Sequence, residues 1–398
     1  MSTPVHDAET TTEASEHKRR RWPWIVGGAV VLLVVLFHLA GGFYFAGLIR
    51  SDGFEPGGPE AFVDATAGPI GDDTITLVVV DDSGDPFLEG VYGLKWDDGY
   101  GQIGEILSES DSEVVRAFTL VEGTPPALGT EMDVMGWAWP ADPERSFGYD
   151  YSTVQYPSEL GPMDAWIVPG SSDQWAIFVH GKGVDQREGL RTLPSLHDAD
   201  MPTMLISYRN DIGAPADPTG LYRYGETEWR DLEDAVEYAQ DQGAERFVLI
   251  GDSTGAAIVM SFLYESDLAP LVDGAILDSP NIDFGQVVDV EASRRSLPVV
   301  GLPIPATLTW TAKSIAAAQM GLSWDDLDYI DEADDLAVPI LVFHGTEDGS
   351  VPIELSRRLA AARPDLVTLV ETDAAHVLSW NVDPAAYEQH IDKFLASM

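Results

Sequence analysis

Residues 247–260 read FVLIGDSTGAAIVM. Phe247–Ile250 is a short apolar run of the kind that forms a buried strand, and Ala256–Tyr264 reads as a helix. Between them Gly251-Asp252-Ser253-Thr254-Gly255 fits the pattern G-x-S-x-G. Glycines on both sides permit a sharp strand-to-helix turn. Such a turn exposes the serine hydroxyl at the sheet edge, with a helix N-terminus behind it. The bare pattern is common by chance, because Gly and Ser are abundant. The strand before and the helix after supply the context that gives it meaning.

Working outward, the same alternation continues on both sides. Ser152–Tyr156 and Asp164–Val168 read as paired strands, and Trp175–Val179 as a buried strand. Gln186–Ala199 reads as a helix and Thr203–Ser207 as a strand. Glu226–Gln242 has an acidic first turn, apolar residues at helical spacing (Trp229, Leu232, Val236, Ala239) and Gly243 as a stop. Strands at Gly274–Leu277, Pro339–Phe343 and Leu366–Val370 alternate with helices at Ile353–Ala362 and Pro384–Leu395. The expected fold class is α/β: a mostly parallel central sheet with helices on both faces. Sites in such sheets lie at the carboxyl ends of the strands.

Two further strand ends carry functional groups. His344-Gly345-Thr346-Glu347-Asp348 follows the strand Pro339–Phe343. Glu347 and Asp348 compete as the carboxylate beside an imidazole. Asp348 is favoured because it directly precedes the loop Gly349-Ser350-Val351-Pro352. After Leu366–Val370 comes Asp373-Ala374-Ala375-His376. The chain has eight histidines. Two lie in the N-terminal tail (His6, His17), one in an apolar segment (His38), and two on expected helices (His197, His390). His180 and His344 precede glycines at strand ends, where an imidazole is usually bonded locally. His376 remains, on a late loop. A fourth element, His180-Gly181-Lys182-Gly183, follows Trp175–Val179. Its Gly-flanked turn can aim backbone N–H groups at an oxyanion through Lys182. The N–H of Thr254, after the serine, is the second expected donor.

With HGKG (180–183), GDSTG (251–255), HGTEDGSVP (344–352) and AAH (374–376), residues 150–398 resemble the α/β-hydrolase fold family, in its serine-hydrolase branch. The order Ser253, Asp348, His376 is the order of that family. LISYRND (205–211) and YRYGETEWRD (222–231) also resemble its membrane-anchored or exported bacterial members. The resemblance implies Ser253 as nucleophile, His376 as general base and then acid, and Asp348 as the orienting carboxylate. It implies an acyl-enzyme route with no cofactor and no metal, acting on a small-molecule ester or acyl substrate. Ala256 stands where many members carry a second glycine.

Upstream, Trp22–Ile49 holds no Asp, Glu, Lys or Arg and is long enough to span a bilayer. Lys18–Arg21 precedes it, so the positive-inside rule puts residues 1–21 in the cytoplasm and the rest outside. This predicts a retained, single-pass signal-anchor over 22–49, with the lipid bilayer as partner and the cell membrane as location. The rival is a cleaved signal peptide, for which the apolar stretch is long. Residues 50–72, rich in Gly and Pro, read as a linker. A β-rich extension is expected over 73–145 and the catalytic domain over 146–398, with a possible cap at 281–335. The apolar stretch from Pro298 through Met320 suits either a pocket wall or packing onto the sheet. The Asp-rich run 325–335 lacks the spacing of a calcium loop.

Composition narrows the partners. There are 67 Asp and Glu against 22 Lys and Arg, for a net charge of −45. Residues 1–21 balance four acids with four bases and the apolar segment has none, so the whole imbalance follows residue 49. Such a surface repels phosphate backbones, which excludes nucleic acid. It reads instead as a solubility signature of an exported, high-salt or high-GC setting. Absence of Cys excludes disulfides and thiolate sites. Two other functions fit the same motifs: a serine peptidase or amidase, and a non-catalytic binding ectodomain.

Overall fold

The computed structural model describes residues 22–57, 63–80, 84–298 and 301–398; the expected cytoplasmic tail, residues 1–21, lies outside them. The chain forms two compact units. The smaller holds residues to Gly53 and Ala292–Leu322, the larger Phe54–Glu291 and Ser323–Met398.

The first described element is the helix α1 (Trp22–Leu48). Among the described residues it is the one helix long and apolar enough to cross a membrane. Its large apolar side chains from Trp22 to Tyr44 are mostly exposed.

In the larger unit, β1 (Ala65–Ile70), β2 (Thr74–Val79), β3 (Tyr92–Trp96), β4 (Gly99–Glu109), β5 (Glu113–Gly123) and β6 (Glu131–Met135) close into a barrel, in the order β1-β2-β5-β4-β3-β6. Closure leaves no unpaired strand edge. Inward positions alternate, as Ile75 and Leu77 do on β2. The expected linker over 50–72 is corrected here, because Ala65–Ile70 is a strand. Gly68-Pro69 breaks its alternation, and its pairing with β2 shifts register between Ala67 and Ile70. A bulge of this kind hides a strand from a period-two reading. Arg116 lies wholly buried on β5. Its guanidinium donates to the carbonyls of Gly104, Leu88, Gly90 and Pro86, and burial lowers its pKa. It thereby fastens the segment before β3 to the barrel.

A short helix α2 (Pro143–Phe147) leads into an eight-stranded sheet of order β14-β13-β12-β11-β9-β10-β8-β7. The strands are β7 (Ser152–Tyr156), β8 (Met163–Val168), β9 (Gln174–Val179), β10 (Thr203–Ile206), β11 (Arg246–Asp252), β12 (Val272–Asp278), β13 (Ile340–Gly345) and β14 (Val367–Thr372). The pairings β7–β8 and β8–β10 are antiparallel and the others are parallel. Alternate residues face opposite sides of a strand. Ile177, Leu249 and Leu277 therefore share a core with α4 (Trp229–Asp241) and α5 (Thr254–Glu265). Phe178, Ile250 and Phe343 face α3 (Leu193–Asp198) and α10 (Pro384–Leu395) on the other side. Helices α6 (Phe284–Arg294), α7 (Ala306–Met320), α8 (Glu354–Ala362) and α9 (Ser379–Val382) complete the chain. The helix expected over 186–199 is split: a 3-10 turn spans Gln186–Arg191 and α3 begins at Leu193. Pro194 suits the first turn of a helix but not its interior.

In the smaller unit α7 packs along α1, with the Gly41 and Gly42 backbone against Leu308, Thr311 and Ile315.

Candidate active site

Strand β11 delivers Ser253 at its carboxyl end, and α5 starts one residue later. Ser253 adopts φ +50°, ψ −110°, a region side-chain-bearing residues seldom occupy. Its backbone is pinned on both sides, with its N–H donating to the Asp278 carbonyl and its carbonyl accepting from Asn281 and Ala256. The turn requires its glycines. A Cβ on Gly255 would collide with the Val179 carbonyl, and one on Gly251 would lie 2.6 Å from the Ala256 nitrogen. Ala256 itself is buried in the core.

The structure brings Ser253, His376 and Asp348 together. The Ser253 Oγ lies 2.9 Å from His376 Nε2, and Nδ1 of the same ring lies 2.7 Å from Asp348 Oδ2. Glu347, the competing carboxylate, is exposed. Asp348 Oδ1 accepts from the Ser350 and Val351 amides, both at 2.8 Å. Its Oδ2 also lies 3.3 Å from the buried His344 Nε2. Burial alone would raise the Asp348 pKa. Hydrogen bonds from His344 and His376, the field of His376 and the Val351 amide outweigh burial and hold it well below the usual carboxylate range. The carboxylate therefore stays charged, and its bond to Nδ1 leaves Nε2 as the free acceptor facing the hydroxyl. Such a chain can deprotonate Ser253 as it attacks an electrophile.

The turn at 180–183 sits against the serine. Gly181 comes so near that a Cβ there would lie 3.4 Å from Ser253 Cβ. The Gly181 N–H donates to the buried Glu188 carboxylate at 2.6 Å, which fixes the turn and engages that amide. His180 is wholly buried, 3.1 Å from Asp211 Oδ2. Burial opposes its protonation, but the bond to Asp211 prevails and raises its pKa. Tyr222 donates to the other Asp211 oxygen. Arg209 pairs with the buried Asp231. The segments 205–211 and 222–231 thus brace the turn.

Sequence reasoning missed a group of buried charges behind the serine. Asp252 and Asp278 are register partners at the ends of β11 and β12, and both are buried. Arg191 lies among them, also buried, and donates to the carbonyls of Glu188 and Val377. Val377 follows His376 and holds φ +55°. Arg191 therefore ties the 180–191 segment to the histidine loop. Burial raises the Asp252 pKa, Glu188 adds to the rise, and Arg191 opposes it. An acid with a raised folded pKa favours folding below its ordinary pKa and loses that advantage as pH rises through the folded one. Asp252→Asn is therefore expected to match wild type in urea midpoint near pH 4 and to exceed it at pH 8, where only the wild type must keep or desolvate the charge. A difference that does not change with pH would remove this account.

A second unexpected tie comes from the barrel. Asn381, buried on α9 five residues past His376, donates to the carbonyls of Val91 and Gly136, and its own carbonyl accepts from Val91. Gly90 approaches so closely that any Cβ would strike the Asn381 carbonyl. Among the described residues no cluster of three or more His, Asp or Glu could hold a metal ion.

Residues 64–134, the barrel, match the model of a domain of unknown function (DUF8805). No curated protein is matched. Among solved structures the chain is similar to the Pyrococcus furiosus esterase Pf2001, at 20% identity and a TM-score of 0.51, covering 65% of this chain and 96% of that one. The Pyrococcus horikoshii acylaminoacyl peptidase is 15% identical over 84% of this chain and 55% of its own, with a TM-score of 0.49. Mouse α/β-hydrolase domain-containing protein 10 is 14% identical over 62% and 99%, with a TM-score of 0.46. The fold is the α/β-hydrolase fold.

Proposed function

We propose that the protein is a membrane-tethered serine hydrolase that cleaves carboxylic esters through an acyl-enzyme on Ser253. The observation that carries this reading is the unbroken chain from Asp348 through His376 to Ser253, ending on a strained turn at a helix N-terminus. His376 Nε2 takes the Ser253 proton as Oγ bonds to the ester carbonyl carbon. The resulting oxyanion is held by the Lys182 and Thr254 amides. Thr254 opens α5, so its N–H precedes any acceptor within the helix. The Gly181 amide is engaged by Glu188. His376 then gives its proton to the leaving alkoxide as the tetrahedral carbon collapses to the acyl-enzyme. Water attacks the acyl carbon, its proton passes to Nε2, and Ser253 is restored with release of the acid.

An ester substrate agrees with the similarity to the Pf2001 esterase. We assign α1 as the tether. Lys18–Arg21 before it and the acidic chain after it orient the larger unit away from the cytoplasm. The test pairs two measurements on the full-length protein. A fluorophosphonate should phosphonylate Ser253 with loss of fluoride, adding the mass of the phosphonyl group to the peptide that bears it. A p-nitrophenyl ester should turn over far faster than the anilide of the same acyl group. Faster anilide cleavage would reassign the protein as an amidase. No label and no turnover of either would overturn the hydrolase reading.

A further inference from the structure

Residues 292–322 lie between β12 and β13 in sequence, yet within their unit their partner is α1. The contacts advance together on the two helices. His38 Nε2 meets Thr307 Oγ1 at 3.0 Å. A Cβ on Gly41 would lie 3.0 Å from Leu308, and one on Gly42 2.8 Å from Thr311 and 2.9 Å from Ile315. So α7 runs parallel to the second half of α1, with backbones brought close by glycine, as in packed membrane helices. About 20 residues of α1 fill a hydrocarbon core of ~30 Å. The stretch from His38 to Ala46 belongs to the last part of that span, and α7 shares its depth.

The chemistry of the segment leading into α7 and of its first half suits hydrocarbon, with Lys313 at the helix midpoint. From Ser296 to Ala312 the sequence has no charged residue, and Arg294, Arg295 and Lys313 bracket it. The polar groups at the seam are satisfied within the pair. Thr311 at the seam and Ser314 on the exposed face each donate to the carbonyl four residues back, at 2.8 Å. His38 Nδ1 lies 2.9 Å from the Val34 carbonyl, and its other nitrogen meets Thr307. Lipid demands such internal pairing. The outward face instead presents apolar surface, with Trp310 71% and Leu302 61% exposed. In the same unit, α1 also exposes large apolar side chains, among them Leu33, Phe37 and Tyr44. At its base Arg295 pairs with Asp52 at 3.4 Å.

We propose that Leu302–Met320 is a second membrane-embedded element, a helix seated in the outer leaflet against α1 without crossing the bilayer. The bilayer's acyl chains occupy the face that carries Trp310. The inference rests on α1 being the membrane span, and its test separates the two. The chain has no Cys, so single-cysteine variants label cleanly. Full-length Trp310→Cys and Ser314→Cys report the outward face of α7 at two positions one turn apart. Val34→Cys reports α1, and Leu128→Cys an exposed barrel turn. Each is labelled with NBD in phosphatidylcholine vesicles containing a lipid with a nitroxide in its acyl chain. The label at 310, 314 and 34 should be quenched several-fold more than at 128, and should resist aqueous iodide. Quenching at 34 with 310 and 314 behaving like 128 overturns the inference and leaves the tether standing. Absence of quenching at 34 overturns both.

Discussion

Ser253→Ala is expected to lower kcat for ester hydrolysis by roughly 10⁴- to 10⁶-fold while the protein stays folded. The hydroxyl is the attacking atom in the proposed reaction, and alanine supplies no atom to take its place. The Ser253 Oγ bonds to His376 Nε2, so its removal costs one partly exposed hydrogen bond. Alanine tolerates the φ of +50° no worse than serine does, so the turn keeps its shape. In the proposed reaction the residual rate reflects substrate binding and the amides assigned to the oxyanion, which the substitution leaves in place. The decisive measurement is kcat alongside circular dichroism and the urea midpoint. A folded variant within tenfold of the wild-type rate would remove Ser253 as the nucleophile.

The second large effect belongs to Asp348. Asp348→Asn is expected to lower kcat by roughly 10⁴-fold through the histidine tautomer. The Ser350 and Val351 amides both donate to Oδ1, so an asparagine must keep its oxygen there. Its NH₂ then faces the imidazoles of His376 and His344, where Oδ2 stood. His376 Nδ1 must become an acceptor, which moves the ring proton to Nε2. That nitrogen then points an N–H at Ser253 and cannot take the serine proton. KM should change little, since Asp348 is buried behind the histidine. Stability should report the same carboxylate with a defined sign. Its pKa is depressed in the folded state, so its contribution is present above the ordinary carboxylate value and lost as pH falls through the folded one. The stability gap between wild type and variant should therefore narrow in acid. An unaltered kcat, or a gap that widens as pH falls, would contradict the assignment.

Both expectations use residues legible in the sequence, because each sits at a strand end bounded by local signals. The apolar run before Gly251 and the helix after Gly255 were enough to place the serine on a turn, and Pro384–Leu395 was read with its observed bounds. Failures occurred where local signals were interrupted or where partners were distant. Gly68-Pro69 hid β1. Pro194 broke one expected helix into a turn and a shorter helix. The carboxylate at 252 looked like a variable position of a motif. Only the pairing of β11 with β12 sets it beside Asp278, and only the packing of the 186–191 turn brings Arg191 between them.

The apolar stretch before and within α7 shows the same division. Composition marks it as surface that water disfavours, and leaves its partner undefined. Burial of apolar area is non-directional, so it says that a face must be covered and not by what. Sequence by itself determined the alternation of strands and helices, the order Ser253, Asp348, His376, and an apolar segment ahead of an acidic chain. These follow from periodicity, turn chemistry and charge, which act over a few residues. Tertiary structure alone decided the barrel's closure, the Asn381 tie to the histidine loop, the buried charges behind the serine, and the seating of α7 on α1. Those depend on register and on contacts between residues far apart in the chain, which no local pattern encodes.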